Sequence, residues 1–186
     1  MEQQDELDIQ RSLAGDEAAF GRIVDRYESL ISRLMWRFSR DRGECDELVQ
    51  EVFVQAYFSL RNYRGDAPLL HWLRRIGTRV GYRFWQRRQR EQREVSLEHL
   101  NDEAFRETTA SPSEAGELVH KLLARLPNDD RLVLTLQFLE DQSVRDIADH
   151  TGWSEGKIKM KAMRAKNKLK QIAEQENLPE LMSWTN

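Results

Sequence analysis

From Asp16 to Phe38 the apolar residues return at steps of three and four: Phe20, Ile23, Val24, Tyr27, Leu30, Ile31, Leu34, Met35 and Phe38. That spacing makes one continuous stripe on a helix and none on a strand. Asp16 stands where a side-chain oxygen caps the first turn. Asp41 to Glu44 interrupts the pattern, and a second helix is expected from about Cys45 to Leu60, with Leu48, Val49, Val52, Phe53, Ala56, Tyr57 and Leu60 on its packed side. Helices joined by so short a turn pack antiparallel. After the turn-rich stretch Asn62 to Pro68, helical spacing resumes from Leu69 to about Arg93 through Leu70, Leu73, Ile76, Val80 and Phe84. With 9 Gly and 4 Pro in 186 residues, 39% hydrophobic and 33% charged, the composition fits an all-α fold rather than a sheet protein or a disordered chain.

Between Val95 and Ser113 the periodicity fails in a polar, acidic stretch, which reads as a linker. A second helical module is expected to begin near Pro112 to Ser113, with one helix to about Leu126, a break at Pro127-Asn128, and another helix through Val133, Leu134, Leu136, Gln137 and Leu139. The layout expected is therefore a module over 1–94, a linker over 95–112, a second module over 113–175 and a tail over 176–186.

Charge divides the chain more sharply than hydropathy does. The net charge is only −3, yet His71 to Arg93 holds eight Arg against one acid, Glu91, and Lys157 to Lys170 holds seven Lys or Arg and no acid. Two stretches of +7 leave −17 on the remainder. Two basic helices on an acidic background suggest two separate contacts with polyanions and little indiscriminate binding.

Other functions lack their residues. Cys45 is the single cysteine, so no internal disulfide forms, and His71, His99, His120 and His150 lack metal-ligand spacing. No metal, cofactor or small-molecule substrate is expected, and no catalytic residue: the chain has no credible carboxylate pair and no phosphate-binding glycine loop. The first ten residues are acidic without an apolar run, and no stretch approaches the roughly 18 apolar residues of a membrane span. A reducing cytoplasm is the expected compartment.

The sharpest motif runs from Val144 to Ala162 and reads as a helix-turn-helix. Ala148 is small where two helices cross, Gly152 suits a left-handed helix end, and Ser154 can cap the next helix. Ile158, Ala162, Ala165, Leu169 and Ile172 form the second helix's stripe, so Lys157, Lys159, Met160, Lys161 and Arg164 are assigned to the outer, duplex-facing side. The helix from His71 to Arg93 mixes arginines with Trp72, Tyr82, Phe84 and Trp85; a phosphate track beside planar rings is what unpaired bases need.

Asp46-Glu47-Leu48-Val49-Gln50-Glu51-Val52-Phe53 closely resembles the region 2.2 signature of the sigma-70 family. Leu70 to Ile76 is similar to the segment that opens regions 2.3 and 2.4, and Leu126-Pro127 with the helix-turn-helix is similar to region 4. Order, spacing and length resemble the extracytoplasmic-function group, over roughly residues 10–93 and 113–173. The resemblance implies a sigma factor that binds core RNA polymerase and recognises the −10 and −35 promoter elements. It assigns Asp46, Glu47, Leu48, Gln50, Glu51 and Phe53 to the clamp helices of the largest subunit, with Asp46, Gln50 and Glu51 outermost because Leu48 and Phe53 belong partly to the core. It assigns Tyr63, Arg64, Trp72, Arg75, Arg79 and Arg83 to melted −10 DNA, and the outer residues of the second helix to −35 duplex. It also implies contact with the flap of the second-largest subunit and restraint by an anti-sigma factor.

This chain departs from the family where Arg79 and Arg83 replace a common Asn and Asp, and where Lys157 and Met160 replace a common Thr and Ser, so promoter preference does not transfer. Three rivals stay open on sequence alone: a stand-alone helix-turn-helix regulator, an enzyme acting on nucleic acid, and an adaptor that occupies polymerase without directing initiation. The first leaves Asp46 to Phe53 unexplained.

Overall fold

The computed structural model describes residues 2–98 and 114–175, and every regular element among them is helical. The linker residues 99–112 and the tail 176–186 lie outside the described residues. The chain divides into two compact units, Met1–Thr108 and Thr109–Asn186.

The first unit contains α1 (Glu2–Leu13), α2 (Glu17–Met35), α3 (Arg42–Ser59) and α4 (Leu69–Glu98). Asp16 caps α2 as expected, accepting from the Ala19 N–H at 3.2 Å. Phe38 belongs to a turn beyond the end of α2, although its ring is buried. Helix α3 starts three residues before the expected Cys45, because Asp41 accepts from the Glu44 N–H at 2.9 Å and so begins a helix where only a break was expected. At the other end α4 continues to Glu98, beyond the expected end near Arg93 and into the expected linker.

Ile23, Ile31, Leu34, Val52, Leu73 and Val80 form the centre of this unit. Helix α4 approaches α2 through glycines. A Cβ on Gly77 would lie 3.0 Å from Leu34 Cδ2, and one on Gly81 would lie 2.3 Å from the Phe38 ring. Trp85 then closes the contact: its ring lies 4.6 Å from that of Phe38, and its Nε1 donates to the Phe38 carbonyl at 2.7 Å.

Helix α1 had no counterpart in the sequence reading, which found only an acidic segment there. It is held on α2 by charge. Asp8, fully buried, accepts from Arg22 at 2.9 Å and Arg26 at 2.6 Å, while Asp5 accepts from Arg26 and from the Tyr27 hydroxyl. Arg26, above all, holds the Asp8 carboxyl below its ordinary range against the opposing effect of burial.

The second unit contains α5 (Glu114–Ala124), α6 (Asn128–Leu134), a single π-helical turn (Thr135–Leu139), α7 (Val144–Thr151) and α8 (Glu155–Gln175). Leu123, Leu126, Leu134 and Ala165 pack together, with Val119, Leu139, Ala162 and Leu169 around them. Pro127 precedes α6, where its missing N–H would have had no helical partner. Ser143 and Asp146 cap α7 reciprocally, a capping box the sequence reading did not register.

Candidate nucleic-acid interfaces

Arg75, Arg79 and Arg83 stand four residues apart on α4 and are all exposed. Burial of its stem and the charges of Arg75 and Arg83 push the Arg79 guanidinium pKa downward. Three cations that repel one another along one helix edge make a surface for a polyanion. Arg83 also reaches Glu51 on α3 at 3.5 Å, so one residue assigned to DNA touches one assigned to polymerase.

The aromatics of α4 separate into two sets. Phe84 and Trp85 are buried, 8% and 4% exposed, so neither offers the stacking face that interleaving with arginines had suggested. They are core residues: Trp85 is fixed to Phe38, and the outer edge of Phe84 is covered by Arg87 and Arg88 at 5.8 and 5.7 Å. Trp72 and Tyr82 stay half-exposed. Trp72 lies 5.4 Å from Tyr63, whose hydroxyl donates to the Ala67 carbonyl at 2.6 Å and ties down the loop between α3 and α4. Gly65, with φ of 75°, supplies the left-handed turn, and Arg64 projects from it into solvent. Trp72, Arg75, Arg79 and Arg83 thus follow one another along one face of α4, which begins beside Tyr63.

The α3 residues divide as their spacing implies. Asp46, Glu47 and Gln50 are exposed, Glu51 is half-buried, and Leu48 and Phe53 are in the core. Asp46 and Gln50 border an open groove of about 670 Å³ between α2 and α3, floored by Phe20, Val24, Val49 and Phe53. Tyr57, expected on the packed side, is instead 43% exposed at the rim, its ring edge-on to Phe20 at 5.0 Å. Phe58 beside it is 75% exposed. The sequence reading missed Val54, Tyr57 and Phe58 as surface residues. The signal was present, since α3 carries more apolar residues than one stripe can bury.

In the second unit Gly152 adopts φ of 74° and ends α7, and Ser154 accepts from the Lys157 N–H at 3.3 Å to begin α8. Ile158, Ala165 and Ile172 are buried as expected. Lys157, Lys159, Met160 and Arg164 are exposed. Lys161, expected outside with them, is only 7% exposed: its ammonium lies 2.6 Å from Asp129 and 3.6 Å from Asp130 on α6. It sits at the margin of the apolar stripe, and α6 supplies the carboxylates that let a charge remain there. Asp130 also holds Arg164 at 3.2 Å. Trp153, at the turn, carries the Lys157 ammonium 4.2 Å from its ring centre and that of Lys161 at 5.4 Å. Neither Asp130 nor Trp153 was foreseen, because their roles depend on a neighbouring element.

A basic helix over its own small core, repeated in two units, defines a two-module nucleic-acid-binding protein. Residues 23–91 match the family model for sigma-70 region 2, and residues 116–169 match that for sigma-70, region 4. The chain is 30% identical over 173 residues to an ECF RNA polymerase sigma-E factor of Haemophilus influenzae, covering 87% of this chain and 91% of that protein. It is 31% identical over 176 residues to the RNA polymerase sigma-H factor of Pseudomonas aeruginosa, covering 89% and 91%. Among solved structures it is similar to CnrH in its complex with the cytosolic domain of CnrY, with a TM-score of 0.62, 23% identity and coverage of 92% and 97%. It is also similar to the sigma factor RpoE of Bartonella quintana in complex with the anti-sigma factor NepR, with a TM-score of 0.61, 21% identity and coverage of 83% and 96%. The chain belongs to the sigma-70 family, in its extracytoplasmic-function group. It is a sigma factor, an initiation factor that directs transcription and is not itself an enzyme. Among the described residues no helix is long and apolar enough to cross a membrane.

Proposed function

We propose that this sigma factor docks on core RNA polymerase through α3 and stabilises promoter opening by trapping unpaired −10 bases. Asp46, Glu47, Gln50 and Glu51 meet the clamp helices of the largest subunit, and Leu48 and Phe53 anchor the helix from within. Tyr63, Arg64, Trp72, Arg75, Arg79 and Arg83 receive the melted strand. Lys157, Lys159, Met160 and Arg164 face the −35 duplex, with Lys161 supporting the helix from behind, and the second unit also meets the flap of the second-largest subunit. The layout is region 2 over 1–94, a linker over 95–112, region 4 over 113–175 and a tail over 176–186, working in the cytoplasm.

One observation carries this reading: the self-repelling row Arg75, Arg79 and Arg83 continues along the face of α4 that begins at Trp72, whose ring is paired with Tyr63. A cation track beside half-exposed rings suits single-stranded DNA, and unstacking costs a few kcal/mol that such contacts offset. Trapping then shifts a melting equilibrium by differential affinity, while the chemistry stays with polymerase. The similar sigma factor solved with the anti-sigma factor NepR supports restraint by an anti-sigma factor here too.

In vitro transcription with core polymerase and a genomic promoter library tests the proposal. Discrete new starts sharing two spaced upstream elements are expected. Absence of core binding and of new starts would sink it.

A further inference from the structure

Helix α8 turns about 100° per residue, so Gly156, Met160, Met163 and Asn167 fall within an arc of about 60°, opposite the buried Ile158, Ala165 and Ile172. All four are exposed, Met160 at 49% and Met163 at 59%. Lys159 borders this arc on one side, and Arg164 and Lys157 on the other. The centre of the helix's outer face therefore carries the two apolar methionines, and its margins are cationic.

The fold itself does not require this arrangement. A Cβ on Gly156 would meet nothing within 4 Å, although glycine weakens a helix relative to alanine. Two flexible thioethers are left about half exposed to water. The cationic margins fit paired phosphate strands, and the bare Gly156 lets the first turn come close to whatever lies between them.

Between the phosphate strands of a major groove the one apolar group on a base edge is the thymine C5-methyl. Guanine O6 and N7 and the cytosine amino group would each lose water against a thioether and gain no strong partner. Asn167, one turn beyond Met163, has the side chain that pairs with adenine N6 and N7. We infer that Met160 and Met163 are specificity-determining residues that read thymine methyl groups in the duplex beneath α8. This rests on the reading of α8 as the −35 recognition helix and names the base chemistry it selects.

The test uses the full-length protein with core polymerase. Duplexes are selected from a pool randomised across the upstream element, then resynthesised with deoxyuridine for thymidine, which removes the methyl and keeps the pairing. Each methyl lost beneath the helix is expected to weaken binding about fourfold. In a Met160→Gln, Met163→Gln double variant the thymine-to-uracil ratio falls to about one, and in the Met160→Leu, Met163→Leu variant, which stays apolar, it persists. Equal binding of thymine and uracil duplexes by the unaltered protein overturns the inference and leaves −35 recognition standing. So does a Gln variant that keeps the ratio. Failure to enrich any upstream sequence overturns both.

Discussion

Trp85 Nε1 donates to the carbonyl oxygen of Phe38 at 2.7 Å across the junction of α4 with the end of α2, and the two rings meet at 4.6 Å. The bond fixes a carbonyl that has left the helical ladder of α2. Trp85→Phe removes the donor while keeping a ring, and is expected to cost about 1–3 kcal/mol, the penalty of an unsatisfied buried acceptor. Urea unfolding of the full chain measures it.

One turn earlier on α4, Gly81 leaves no room for a methyl group against the Phe38 ring. Gly81→Ala should therefore destabilise by about 1–3 kcal/mol from overpacking, against alanine's helical advantage. Gly156→Ala, in open space, should have the opposite sign and stabilise by about 0.5–1 kcal/mol. Thermal unfolding of both variants checks the reversal.

The clasp of α1 on α2 should be acid-labile. Asp8 has its pKa depressed in the folded protein, mainly by Arg26, so the unfolded chain takes up the proton first as pH falls. The stabilisation is complete above the ordinary aspartate value of about 4 and is lost as pH drops through the lower folded value. Urea midpoints between pH 2 and pH 6 should fall more steeply for the native protein than for Asp8→Asn. At neutral pH that substitution should cost about 3 kcal/mol, the low end for breaking a buried pair, because Asp5 still holds Arg26.

Cys45 should be inert while the protein is folded. Burial first, then the nearby Asp46 carboxylate, push its thiol pKa up to about 11, so almost no thiolate exists at neutral pH. Disulfide reagents at pH 7.5 should label it only at the rate of unfolding, and fast labelling would contradict its burial.

Arg79 separates binding from stability. Removing it relieves repulsion with Arg75 and Arg83, so Arg79→Ala should leave the unfolding midpoint unchanged or slightly raised. Affinity of the holoenzyme for a single-stranded −10 oligonucleotide should fall, and the slope of its logarithm against salt should flatten by about 0.7. A salt titration of both proteins measures this.

The stripes from Ile23 to Met35 and from Ile158 to Ile172 were legible because apolar spacing alone determines which side of a helix is covered. Gly152 and Ser154 were legible because each answers a local geometric need. Helix α1 was not, since Asp5 and Asp8 look like solvated charges until Arg26 and Tyr27, some twenty residues away, are placed against them. Lys161 was misplaced for the same reason: its partners Asp129 and Asp130 lie on another helix. Phe84 stood on the expected apolar stripe of α4, whereas Trp85 lies among arginines off that stripe, and only the packing of α4 on Phe38 shows that it turns inward.

Phe58 leaves three quarters of its ring in water beside Tyr57 and the groove between α2 and α3. An aromatic patch of this kind limits solubility. The protein purified alone should self-associate as its concentration rises and should become markedly more soluble once the patch is covered. In a cell the same property favours keeping the unbound pool small, because each free copy is exposed to chance association until it finds its assembly.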